Sequence, residues 1–82
     1  MKKFTIEEIK NAVDIVIGDD GMRSKEVIEN RFGGEKCTVP GYAAAVYDVI
    51  IGAESLQDWD SHRKGLDWFS RNFPKQYMTL LY

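Results

Sequence analysis

At 82 residues, with 44% hydrophobic and 12% aromatic side chains, the chain has material for one hydrophobic core and none for a second, so residues 1–82 are expected to form a single domain. Eleven Lys plus Arg against thirteen Asp plus Glu leave a formal charge of −2, too balanced for a nonspecific polyanion binder and too weak for a nucleic-acid mimic. Cys37 is the only cysteine, which excludes an internal disulfide and a Cys-based zinc site within one chain, and no run approaches the roughly 20 apolar residues that span a bilayer.

The chain opens Met1-Lys2-Lys3-Phe4, like the charged start of a signal peptide, but Glu7, Glu8 and Lys10 interrupt what would have to be its apolar stretch. A reducing cytoplasm is therefore the expected location. Phe4, Thr5, Glu8 and Ile9 then fit a hydrophobic staple around a capping box and announce a first helix. Ile6, Ile9, Val13, Val16 and Ile17 fall on one side of its wheel, with Gly18 as the stop. The β-branched cluster from Val13 to Ile17 weighs against helix at its end, because such side chains lose rotamer freedom there and fit strands well.

Asp19, Asp20 and Gly21 read as a turn, and Ser24 as the cap of a short second helix from about Lys25 to Phe32, closed by Gly33 and Gly34. Val27, Ile28, Phe32 and the stem of Arg31 would give it a narrow apolar edge. Residues 35–39 are expected to be extended. Pro40 suits the first turn of a third helix, from about Gly41 to Ile51 with Gly52 as its end. Asp48 is the only charge in that helix, which should make it the central, most buried element.

Ser55 with Asp58 repeats the capping logic for a fourth helix that runs to about Phe73, where Pro74 stops it. Its core stripe reads Leu56, Trp59, Leu66, Phe69 and Phe73. The tail, with Tyr77, Met78, Leu80, Leu81 and Tyr82, is too apolar to dangle in water and should dock on the body, a short strand beside residues 35–39 being one form it can take. The fold class that follows is mainly α: a compact three- or four-helix single domain, with a short two-stranded or extended C-terminal segment as a variant.

No set of residues announces catalysis. Asp58 and His62 share a helix face at i and i+4, but two ligands without a third do not make a selective metal site, and the bland alternative is a carboxylate supporting an imidazole. No nucleophile sits in a recognisable strained turn, and no glycine-rich loop carries a phosphate-binding Lys. The expectation is a non-enzyme that needs neither cofactor nor metal.

Trp68 is the informative position. On a continuous helix it lies opposite Leu66, Phe73 and Trp59, on a second stripe with Ser61, Gly65 and Asn72, while Lys64 and Arg71 flank it. An aromatic anchor with a basic rim suits a protein interface. Gly65, a poor helix former, could instead break the helix and rotate Trp68 into the core. The partner-binding set expected from sequence is thus Trp68, Lys64, Arg71, Ser61, Gly65 and Asn72.

These features point to a non-enzymatic interaction protein that regulates or inhibits a larger macromolecule, with a protein partner and room for a homodimer or higher oligomer. Phage and mobile-element proteins that act on a host enzyme share this character, an analogy of size alone. Two alternatives remain: a helix-turn-helix DNA-binding regulator using the middle two helices, although the second of them offers Ala, Val, Tyr and Ile where base-reading residues should stand, and an oligomeric nucleotide or small-molecule binder.

Overall fold

The capping box forms as its spacing dictates. In the computed structural model, which describes residues 4–30 and 32–81, the Glu8 amide donates to Thr5 Oγ1 at 3.1 Å and the Thr5 amide to Glu8 Oε1 at 3.3 Å. Helix α1 then runs only over Ile6–Val13, and Asp14 ends it in the left-handed region (φ 60°), its amide closing on the Lys10 carbonyl at 2.7 Å. The expected extension to Ile17 does not occur. Residues 14–18 form no regular element; Ile15 is half-buried and Ile17 buried, while Val16, assigned to the helical core stripe, is exposed. A period of two replaces one of 3.6 where the β-branched run begins.

Asp19–Arg23 form a short helix, α2, where a turn was expected. Ser24 terminates that helix in extended geometry, its amide donating to the Asp20 carbonyl, and does not cap a following one. The expected helix at 25–32 is instead strand β1, Lys25–Glu29, paired antiparallel with β2, Lys36–Pro40, in the register Lys25 to Pro40 through Glu29 to Lys36. Val27 and Ile28 are β-branched and point to opposite faces, so the segment has one inward side chain per two residues and no helical stripe to bury. Asn30 and Gly34 close the hairpin: the Asn30 side-chain oxygen accepts from the Phe32 and Gly33 amides at 2.8 and 3.0 Å, and Gly34 takes φ +76°. The supposed contributions of the Met1–Lys3 start, the Arg31 stem and Tyr82 fall outside the described residues.

Helix α3, Gly41–Ser55, is the central element, with Tyr42, Ala43, Ala44, Val46, Tyr47, Ile50 and Ala53 buried. It continues through Gly52, expected to end it, because a glycine in an exposed interior position weakens a helix without breaking it. Asp58 alone caps α4, Trp59–Asn72, accepting from the Ser61 amide at 3.3 Å, while Ser55 belongs to α3. The tail docks as a helix, α5, Pro74–Leu80, with Pro74 in its first turn and Leu80 buried. The molecule is therefore mainly helical, five helices and one two-stranded sheet among the described residues, and the strands lie in the middle of the chain and not at its end.

The core forms where α4 packs between α3 and α1. Gly65 sits directly under Ile50 of α3, where a Cβ would lie 2.6 Å from Ile50 Cγ1, so the helices approach as closely as a bare backbone permits. Gly65→Ala should therefore lower stability by roughly 1–2 kcal/mol despite alanine's better helix propensity, because fully buried Ile50 cannot move aside. Gly52→Ala, where nothing lies within 4 Å of the added methyl, should instead raise it by about 0.5–1 kcal/mol. Urea unfolding followed by circular dichroism reads both, and equal signs would contradict the packing described here.

Candidate functional site

Helix α4 does not break at Gly65, yet Trp68 is only 6% exposed. Trp68 is in the core, as the alternative reading had it, but without the helix break that was to put it there. The stripe expected to face outward is covered at Gly65 and Trp68 and half-buried at Ser61 and Asn72, and Phe73, expected opposite Trp68, packs against it. Phe4, entering α1, lies 5.3 Å from the Trp68 ring centroid, and Phe73 and Tyr42 complete the cluster at 5.7 and 6.2 Å. The Trp68 indole is a core side chain and not an exposed anchor. Asn72 Nδ2 donates to the Trp68 carbonyl at 2.8 Å, Ser61 Oγ to Asp58 Oδ2 at 2.9 Å, and Gly65 is buried.

The basic rim is also neutralised within α4. Lys64 Nζ stands 3.3 Å from Asp60 Oδ2 and Arg63 Nη2 3.3 Å from Asp60 Oδ1, while Arg71 Nε stands 3.0 Å from Asp67 Oδ1. The Lys64 hydrogen bond and charge, with a smaller share from Arg63, hold the Asp60 carboxyl below the usual carboxylate range. Lys64, Trp68, Arg71 and Asn72 do line one cleft of about 420 Å³ with Phe4 and Glu8 of the α1 side, but Ser61 and Gly65 do not reach it. The cleft presents ion-paired charges and the edge of a buried ring.

A more apolar concavity of about 360 Å³ lies where the hairpin turn, α4 and α5 meet. Phe32, His62, Leu66, Tyr77 and Leu81 line it together with Glu54, whose carboxylate stands 3.8 Å from His62 Nε2. Asn30 sets its geometry. Buried itself, it turns the chain at Phe32 with its side-chain oxygen and donates from Nδ2 to the Thr79 carbonyl of α5 at 2.7 Å, fastening the hairpin to the tail helix. Trp59 stands beside the concavity, edge-on to His62 with ring centroids 5.6 Å apart.

Three large apolar side chains here remain in water: Phe32 at 85%, Leu56 at 82% and Trp59 at 59% exposure. Leu56 and Trp59 belonged to the expected core stripe. They are exposed because α3 extends to Ser55 and α4 starts only at Trp59, so Leu56 falls in the inter-helix turn and Trp59 at the very start of α4. The sequence contained a usable signal: Asp58 as the helix cap places Trp59 in the first turn, outside the body of the stripe.

Among the described residues no three His, Cys, Asp or Glu side chains come together as metal ligands, and Asp58 serves α4 as its cap while His62 faces Glu54. Cys37 lies half-buried on the inward face of β2, where burial pushes its thiol above the ordinary value. Compared with family models, curated proteins and solved structures, the chain matches none.

Because a raised pKa means less thiolate at neutral pH, Cys37 should react with iodoacetamide more slowly than a free cysteine in an unfolded peptide, with the rate still climbing at pH values where the peptide has levelled off. A pH profile of the alkylation rate, read by mass spectrometry, checks this. A rate equal to the peptide's at neutral pH would contradict it.

Proposed function

We propose that this chain is a non-enzymatic interaction protein that regulates a larger macromolecule by docking the concavity between the hairpin turn, α4 and α5 onto a protein partner. The observation that carries the reading is the exposure of Phe32 and Trp59 beside a preformed apolar hollow. Fully burying a Phe is worth roughly 1.5–3 kcal/mol, most of which the isolated fold forgoes at Phe32, while at half-covered Trp59 it forgoes part of the gain from burial. Interfaces place such aromatics at their energetic centre, and His62 with Glu54 supplies a polar element that fixes orientation.

The proposal places the protein in the cytoplasm, where a lone half-buried thiol such as Cys37 stays reduced; no described helix is long and apolar enough to cross a membrane. The helix-turn-helix alternative loses its scaffold, since residues 25–29 are a strand and the buried face of α3 carries Ala, Val, Tyr and Ile.

Affinity capture from cell extract with wild type, Trp59→Ala and Phe32→Ala in parallel tests the reading, followed by titration of the captured protein. Both side chains are exposed, so circular dichroism should show both variants folded. Each substitution should weaken binding by about 2 kcal/mol or more, on the order of thirtyfold in Kd. Equal retention of every captured protein by all three would overturn it, as would binding to duplex DNA that collapses with moderate salt and ignores both substitutions.

A further inference from the structure

The hairpin leaves β1 with one side unpaired, and the register identifies which backbone groups face that side. The Asn30 amide donates to the Glu35 carbonyl and the Gly41 amide to the Ser24 carbonyl, so the pairs 30–35 and 24–41 are of the hydrogen-bonded type. Antiparallel pairs alternate, so 26–39 and 28–37 are also hydrogen-bonded, whereas Lys25, Val27 and Glu29 sit in the intervening pairs and turn their N–H and C=O groups outward. Pro40 opposite Lys25 agrees with this, because its missing amide falls where β2 needs none. No other described residue bonds to these three outward backbones, and the sheet has only two strands.

We propose that this edge pairs with the same edge of a second copy of the chain, joining two hairpins into a four-stranded antiparallel sheet about a two-fold axis at Val27. The segment Lys25-Glu26-Val27-Ile28-Glu29 is complementary to itself in that register. Val27 meets its own copy, Lys25 meets Glu29 of the second copy, and Glu29 meets its Lys25. All three are hydrogen-bonded pairs, which gives six N–H to O=C bonds across the axis with every outward group used.

Side chains of paired residues share a face, so on the outer face two Lys–Glu ion pairs flank a Val–Val contact that covers a side chain otherwise 66% exposed. Neither Lys25 nor Glu29 takes part in an ion pair among the described residues, so nothing must be broken to form these. Beside β1 on the inner face lies a hollow of about 250 Å³, lined by Ile28, Ala44 and Tyr47 and by the acidic Glu26, Glu29 and Asp48, into which the Ile28 side chain of the added strand fits while its Glu26 stays toward solvent.

Other registers that keep the outward groups opposed are penalised. A slip of one pair toward the start of the strand sets Glu26 against Glu26, and a further slip sets Lys25 against Lys25. Slips the other way leave Lys25 without a strand partner and finally oppose Glu29 to Glu29. The charges that guard a solitary edge against indiscriminate pairing here select one partner in one register.

Sedimentation equilibrium over a wide concentration range tests this, with amide hydrogen exchange by NMR as a second readout. Wild type should show a reversible monomer–dimer equilibrium. Lys25→Glu or Glu29→Lys alone, each placing like charges together at both symmetric contacts, should raise the dissociation constant at least about tenfold, and the double swap K25E/E29K should restore it to within about threefold. The amides of Lys25, Val27 and Glu29 should gain protection with concentration, while those of Glu26 and Ile28 are protected throughout. A wild type that stays monomeric, a double swap as weak as the singles, or a dimer in which Val27 exchanges as fast as in the monomer would each overturn the proposal.

Discussion

The contact between Gly65 of α4 and Ile50 of α3 governs the rest of the molecule. With no side chain at 65, the α4 backbone lies directly on a fully buried isoleucine, and α4 is drawn far enough inward for its second flank to be covered too. Phe69 then meets Tyr47 on one side, and Trp68 meets Phe4, Tyr42 and Phe73 on the other. A thin core of this size depends on such aromatic burial, since small domains hide a modest share of their surface and have little to spare against conformational entropy. The capped α1 is part of the same arrangement: Thr5 and Glu8 fix where the helix begins, and that start delivers Phe4 onto the indole.

Local chemistry was legible in the sequence wherever one short-range interaction decides the outcome. The Thr5–Glu8 box, the extended stretch before Pro40 and the burial of α3 all follow from residues within one helical turn of each other or from an almost unbroken apolar run, whereas reading Ser55 as the cap of α4 in place of Asp58 started that helix three residues early. The failures share a cause. Residues 25–29 look helical when Ser24 is read as a cap, and become a strand because residues 36–40 are available across an Asn30 and Gly33-Gly34 turn; two β-branched-containing runs around such a turn were the overlooked hairpin signal. Val13–Ile17 divides between helix and irregular chain because Asp14 tolerates the left-handed region.

The site was harder to read than the fold. Helical-wheel arithmetic set Trp68 opposite Leu66, Phe73 and Trp59 and outside the core stripe, but a wheel knows one core direction, and α4 has two covered flanks, with Phe73 reaching Trp68 past the helix end. The same arithmetic placed Leu56 and Trp59 inside, although the helix boundaries leave Leu56 in the inter-helix turn and Trp59 at the first position of α4. Lys64 and Arg71 resemble a basic rim only until their i−4 carboxylates are counted. The two proposed recognition surfaces are built from what the core did not absorb: the concavity lined by Phe32, with Trp59 beside it and Asn30 fastening it, and the outward edge of β1. They use separate residues, so a chain paired through β1 would still present its concavities.

The most direct test of this account is the environment of its two tryptophans, taken one at a time. In Trp59→Phe, the fluorescence of the remaining Trp68 should be blue-shifted relative to the urea-unfolded chain and poorly quenched by acrylamide; in Trp68→Phe, the remaining Trp59 should emit to the red and quench readily. A Trp68 that quenches as freely as the unfolded chain, in a protein still folded by circular dichroism, would contradict the closeness of α3 and α4 on which the structure rests.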